Sequence, residues 1–353
     1  MNPLSKLGVV LFASVLLISC SKSDQPAQTG DTGASHGSSV QINGAGSTFV
    51  NPIMSKWAAE YATYHPDVHV NYTAIGSGAG IQQVTQGTID FGATDGPMTD
   101  EQLAGSKVGR IIHIPVIMGA TVAAYNLPGF TGELKLTPRE LADIFLGKIT
   151  TWNDPAIVKS NPGAQLPSTN ILVVHRSDGS GTTYIWTDYL SKVSPEWKTK
   201  VGINTSVSWP LGIGAKGNDG VAGMVRQTPG ALGYVEMTYA DQNGIPYASI
   251  QNAAGHFIRP TPEGVTAAAE SATVPADFRY SLTNQSGASA YPIAGTTWLL
   301  LPVQAKDKAR GAALLEFTKW VLGQGQDSAP ALHYARLPAT LVARVQQSLG
   351  QIQ

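Results

Sequence analysis

The sequence predicts an α/β protein with largely parallel sheets, and three observations carry that expectation. Strand-like and helix-like segments alternate along almost the whole chain after residue 39. Short turns of Gly, Ser and Thr repeatedly join an apolar strand to a helix start. No internal repeat of 20–50 residues interrupts this alternation.

The first element is an export signal. Lys6 supplies a positive start, residues 7–18 form an apolar run too short to span a membrane comfortably, and Leu17-Ile18-Ser19-Cys20 has the form of a lipid-attachment box. Residues 1–19 are expected to be removed. Cys20, the only cysteine in the chain, is expected to carry lipid, which excludes an intramolecular disulfide and a Cys-based zinc site. Residues 20–39, rich in Ser, Gly, Thr and Gln, read as a flexible tether. This places the protein in the cell envelope, in the periplasm or on the outer face of the cell membrane. Residues 40–353 are enough for two domains or one large one, and the whole chain is 42% hydrophobic with a net charge of -1. That charge argues against nucleic acid as a partner.

The folded part begins with a strand at 40–43. A helix comes next, with Asn51 as N-cap, Pro52 at its first position and Ile53, Trp57, Tyr61 and Tyr64 on one face, ending before Pro66. The alternation Val68-His69-Val70-Asn71-Tyr72 is a strand, followed by a short helix from Ile81. A further strand ends at Asp95. Residues 115–124 are extended and apolar without helical spacing, and can cross between two lobes, with residues 291–301 as the return crossing. Thr137-Pro138-Arg139-Glu140 is a capping box whose helix runs through Leu141, Ile144 and Phe145 to Gly147. The run 171–174 is a strand, and the helix after it, 183–190, carries Ile185, Trp186, Tyr189 and Leu190. Helices are further expected at 196–201, 219–226, 261–268, 308–322 and 340–347, and a strand at 297–301.

Three of the strand-to-helix turns share one grammar: Gly44-Ala45-Gly46-Ser47-Thr48-Phe49, Ile75-Gly76-Ser77-Gly78-Ala79-Gly80 and Arg176-Ser177-Asp178-Gly179-Ser180-Gly181-Thr182. Each offers unpaired backbone N–H groups at the positive end of a helix dipole, with hydroxyls beside them. Arg176 adds a planar fork suited to a tetrahedral oxyanion. Asp95, at the end of a fourth strand, adds a hydrogen-bond acceptor. Together these are the parts of a small-anion cradle. Each turn alone is also what an ordinary capped helix start looks like.

With residues 90–95 (Asp-Phe-Gly-Ala-Thr-Asp), 145–154 (Phe-Leu-Gly-Lys-Ile-Thr-Thr-Trp-Asn-Asp), 214–220 and 230–236 added to these three turns, residues 40–353 resemble the phosphate-binding lipoproteins of bacterial phosphate-specific ABC transporters. The resemblance implies a periplasmic-binding-protein fold of type II. Its two α/β lobes, 40–119 with 290–353 and 120–289, would close by a hinge over a buried ligand. It implies that Thr48 and Phe49 donate backbone N–H groups, helped by the Thr48 hydroxyl, and that Ser77 gives hydroxyl and N–H. Asp95 would accept the phosphate O–H. Arg176 would supply the charged fork, Ser180, Gly181 and Thr182 the helix-start donors, and Asp178 would hold Arg176. The implied partners are inorganic phosphate, two permease subunits, an ATPase and the membrane through the lipid. No cofactor and no metal are implied. His175, where relatives often carry Arg, is given no role, and Thr94 for Ser is a mild change away from the ligand.

Other readings meet specific obstacles. A hydrolase or phosphatase lacks a G-x-S-x-G elbow, an H-E-x-x-H pair and a phosphate-binding Gly-Lys loop, and the seven His have no metal spacing. Ser180 as a nucleophile needs a base, and His175 is expected to face away from it. A sulfate, molybdate or tungstate binder is disfavoured by Asp95, since those anions bring no proton for it. A phosphate scavenger or adhesin uncoupled from transport is a third reading, separable by neighbouring permease and ATPase genes. Trp152, Trp186, Trp209 and Trp298 read as packing residues. Asn218-Asp219-Gly220 reads as a helix cap outside the site.

Overall fold

The computed structural model describes residues 39–353. The expected signal 1–19, Cys20 and all of the tether except Ser39 lie outside the described residues. The strands are β1 (Val40–Gly46), β2 (Val68–Ala74), β3 (Phe91–Thr94), β4 (Ile111–Tyr125), β5 (Lys135–Leu136), β6 (Leu172–Arg176), β7 (Ile213–Ala215), β8 (Ala231–Glu236), β9 (Ser249–Gln251), β10 (Phe257–Ile258) and β11 (Ala294–Pro302). Eight form one sheet in the order β2-β1-β3-β11-β4-β8-β6-β7, and β10-β9-β5 form a small second one. Helices alternate with these strands, so the chain is α/β.

The expectation of largely parallel sheets needs correcting at the centre. β2-β1-β3 are parallel at one end and β8-β6-β7 at the other. The pairs β3-β11, β11-β4 and β4-β8 are antiparallel. The cause is the path of the chain. β4 pairs with β11 as far as Ala120 and with β8 from Thr121, carrying the chain out of the first parallel set into the second. β11 runs back beside it. β4 is buried along nearly all of its 15 residues, so it has no polar alternation to mark it as a strand. It also starts four residues before Pro115. A register shift between Thr297 and Trp298 lets β11 skip Val116 and pair with Pro115, which has no N–H to give a regular ladder.

Helix starts fall earlier than the sequence predicts, and this positions the site. The helix expected from Ile81 begins at Ser77 and ends at Gln86. The one expected from Thr183 spans Gly181–Val193, with Ser180 as N-cap accepting from Thr183 N at 3.0 Å. The one expected from Asp219 spans Gly217–Gln227, and no side chain caps it. In the first helix, Asn51–Tyr64, Val50 holds the cap position and Asn51 is already helical. There Ser47 Oγ accepts from Phe49 N at 3.0 Å and Val50 N at 3.4 Å in place of an Asn51 cap. Tyr64, the last residue of that helix, overhangs the packed face and is 67% exposed. The Thr137–Glu140 capping box forms as expected. Trp152, Trp186 and Trp298 are buried, and Trp209 stacks on Tyr234 and on His175. Residues 39–353 pack as one compact unit. No helix among the described residues is long and apolar enough to cross a membrane.

Candidate functional site

The ends of β1, β3 and β6 and the starts of the helices Ser77–Gln86, Gly181–Val193 and Gly217–Gln227 meet at one place, and every predicted contact residue is there. The turn after β1 is held from outside by three tyrosines. Tyr72, Tyr239 and Tyr334 hydroxyls donate to the carbonyls of Ser47, Thr48 and Phe49 at 2.7, 2.6 and 2.6 Å. With these three carbonyls engaged, the turn is held in one geometry. Opposite it, Gly78 N donates to Gly179 O at 2.9 Å, joining the second turn to the third. Gly76 adopts φ +94°, and a Cβ there would lie 2.5 Å from Asp178 Oδ2, so conformation and crowding both require glycine. At Gly181 crowding alone does so: a Cβ would come within 2.5 Å of Asp95 N and Ser77 Oγ.

Asp95 is 2% exposed and is the acceptor at the centre. Ser47 Oγ donates to it, 2.6 and 2.7 Å from its two oxygens, and Thr297 Oγ1 donates to Oδ1 at 2.6 Å. Burial pushes the Asp95 carboxyl up to about 6, against the opposing pull of the Ser47 and Thr297 hydroxyls, the Arg176 charge and Ser77. Arg176, 3% exposed, is gripped by Asp178: Nε to Oδ1 at 2.7 Å and Nη2 to Oδ2 at 2.5 Å. Asp178 also takes Gly217 N at 3.1 Å. Burial raises the Asp178 carboxyl, but the bonds and charge of Arg176 together with Gly217 N–H outweigh it, and the net direction is down. The Arg176 backbone N donates to Tyr234 OH at 3.0 Å, which anchors the strand end.

The hydroxyls divide into two groups. Ser47 and Thr297 give their protons to Asp95. Thr48, Ser77, Ser180 and Thr182 act only as acceptors among the described residues. Their donors are Asn218 for Thr48, Asp95 N for Ser77, Thr183 N for Ser180, and Arg176 with Asn218 for Thr182. Thr48, Ser180 and Thr182 therefore each keep a proton to donate, whereas the Ser77 hydroxyl also lies against the Asp95 carboxylate. The backbone N–H groups of Thr48, Ser77, Gly181 and Thr182 are likewise without partners among the described residues. Phe49 N–H, expected to be free, is directed to Ser47 Oγ. The chemistry on offer is a buried ring of neutral donors, one arginine, and one carboxylate able to take a proton from whatever the ring holds.

Ser47, Thr297 and Asn218 were not legible as site residues. Ser47 is next to a predicted contact and reads as turn filler. Thr297 lies 202 positions from the carboxylate it touches. Asn218 was expected to cap a helix, but it sits inside the first turn and is fully buried, with its side chain turned toward Thr48 and Thr182. The signal for it was an amide, not a hydroxyl, in a Gly-rich helix start. His175 stacks on Trp209, ring centroids 4.8 Å apart, and its Nδ1 lies 3.0 Å from the Arg176 carbonyl. Thr94 closes its own turn, Oγ1 donating to Gly96 O at 2.6 Å. Among the described residues no group of three or more His, Cys, Asp or Glu is placed to hold a metal ion.

The sequence matches the model of the PBP superfamily domain over residues 28–324. It is 48% identical over 311 residues to the phosphate-binding protein PstS of Xylella fastidiosa strain Temecula1, spanning 87% of this chain and 84% of that one. The chain belongs to the PstS family of phosphate-binding proteins. The same family likeness reaches Methanocaldococcus jannaschii, whose phosphate-binding protein PstS is 38% identical over 82% of this chain and 80% of its own. Both relatives carry the name of phosphate-binding proteins. Two solved structures share the fold. A high affinity periplasmic phosphate-binding protein (PfluDING) bound with phosphate matches with a TM-score of 0.71 at 22% identity, over 88% of this chain and 94% of that chain. The phosphate binding protein of Stenotrophomonas maltophilia matches with a TM-score of 0.66 at 18% identity, over 88% and 94%. The architecture is thus that of a periplasmic binding protein.

Proposed function

We propose that this chain binds inorganic phosphate outside the cytoplasm and delivers it to the two permease subunits and ATPase of a phosphate ABC transporter. One observation carries the ligand: a buried carboxylate, Asp95, in a site otherwise made of donors. Phosphate near neutral pH keeps at least one O–H to give it, whereas sulfate has none and would meet carboxylate lone pairs. A site built around such a proton can discriminate by roughly 10⁴–10⁵. A buried phosphate also needs about a dozen hydrogen bonds, since each unsatisfied acceptor costs several kcal/mol. Thr48, Ser77, Ser180, Gly181, Thr182 and Arg176 are the donors we assign, with the Phe49 N–H shared between Ser47 and the ligand and Asp178 holding Arg176. We assign no catalytic role to any residue.

Residues 40–119 with 290–353, and 120–289, are proposed as two lobes that close over the ligand. The change of partner along β4 at Ala120–Thr121 supports that division. Cys20 is proposed as the lipid anchor, so Cys20→Ser should leave the membrane fraction. Calorimetric titration of the full-length chain in detergent with phosphate, arsenate, sulfate and molybdate tests the function. Phosphate and arsenate should bind comparably, and the other two more weakly by orders of magnitude. Sulfate binding equal to phosphate would overturn the reading.

A further inference from the structure

Asn218 stands between two of the residues assigned to the ligand, and its amide can face only one way. Glu236 N donates to Oδ1 at 3.0 Å, so the NH₂ group must point in the opposite direction. There it finds two acceptors, Thr48 Oγ1 at 2.8 Å and Thr182 Oγ1 at 3.1 Å. A hydroxyl has two lone pairs and one proton. The second lone pair of Thr48 receives the backbone N–H of Asn218 at 3.3 Å, and that of Thr182 receives Arg176 Nη1 at 3.4 Å. Both hydroxyl oxygens are then filled as acceptors, and neither has an acceptor of its own among the described residues. Each proton is left to point into the cleft.

We infer that Asn218 is a specificity-determining positioning residue, which donates to Thr48 and Thr182 at once and so fixes both hydroxyls as donors toward the ligand. A freely turning hydroxyl can donate or accept, and would tolerate a ligand O–H. A fixed one only donates. Bare oxygens of the anion are thereby directed to Thr48 and Thr182, and its proton is kept away from them and toward Asp95. The inference rests on the reading of the cleft as a phosphate site and deepens it.

A double-mutant cycle on the full-length chain in detergent tests it, with phosphate titrations and thermal melts for each protein. Asn218→Ala should weaken phosphate about tenfold or more in the wild-type background, where a charge-assisted donor loses its alignment. In a Thr48→Val/Thr182→Val background the same change should cost no more than about twofold, because the hydroxyls it directs are gone. A residue that only supports the fold would cost the same factor in both, and that result overturns the assignment. Asn218→Asp is the second variant, should the alanine protein not fold. It keeps the volume and the bond from Glu236 N, but turns an acceptor toward both threonines. It should weaken phosphate more in the wild-type background than in the valine one, and equal losses again overturn the assignment. Wild-type protein that binds no phosphate removes the phosphate reading and this inference with it. Wild-type binding with additive losses removes only the role of Asn218.

Discussion

Arg176 reaches the cleft with three of its five N–H groups already engaged, two by Asp178 and one by Thr182. Two donors and the charge remain for the ligand. Arg176→Ala should therefore weaken phosphate binding by about 2–5 kcal/mol, the loss of a charge-assisted contact in a desolvated site. Arg176→Lys should recover only part, because an ammonium cannot hold Asp178 and the ligand in one plane. Titration of both variants decides it, and an alanine protein with unchanged affinity would remove Arg176 from the site. Asp95 gives a pH test. Burial pushes its carboxyl up to about 6. Below that pH it is neutral and can donate, so sulfate should bind more tightly on going from about pH 7.5 to about pH 5. Asp95→Asn should show no such dependence, and a flat wild-type sulfate profile would count against Asp95 as the proton acceptor. Asp95 and Arg176 stood out in the sequence as an acceptor and a charged fork at strand ends beside hydroxyls, and the resemblance gave them their roles. Their supports did not stand out. Ser47, Thr297 and Asn218 carry common side chains whose meaning comes only from the pairing of β3 with β11 and the approach of the Gly217–Gln227 helix to Thr48.

Helix starts are the elements on which the site depends. The capping box at Thr137 was readable because a Thr followed three residues later by Glu leaves a local signature. The starts at Ser77 and Gly181 were read too late, since glycines and serines that open these helices also look like turn. β8 escaped notice as a strand because all six of its residues are buried, which leaves no alternation to read. Glycines in these helices separate site from scaffold. Gly181→Ala would force a methyl between Asp95 and Ser77, an overpacking that costs typically 1–3 kcal/mol, and phosphate binding should fall with stability. Gly223→Ala, inside the helix Gly217–Gln227 and with nothing near its added methyl, should instead stabilise by about 0.5–1 kcal/mol. Denaturant melts of the two proteins should move in opposite directions. Equal shifts would mean that the close approach at Gly181 is not what holds the acceptor in place.

At the scale of the whole molecule, the proposed contacts come from both sides of the β4 crossing: Thr48, Ser77 and Asp95 before it, Arg176, Ser180 and Thr182 after it. Bonds such as Gly78 N to Gly179 O and Asn218 to Thr48 already join the two sides in this structure. The ligand-free chain in solution should open at β4 and β11, so small-angle scattering should give a smaller radius of gyration with saturating phosphate than without it. Identical curves would contradict a hinged cleft. The alternation of strands and helices made the fold class legible, while the antiparallel centre was not, because it depends on the direction in which two long buried strands return. The molecule is expected to recognise phosphate by its proton. Phosphate and sulfate dissociation constants for wild type and Asp95→Asn, at one pH and salt concentration, test that most directly. The expected result is a large phosphate preference in wild type that collapses in Asp95→Asn, mainly through improved sulfate binding. A wild type that binds both anions alike, or an Asp95→Asn protein with the wild-type ratio, would contradict it.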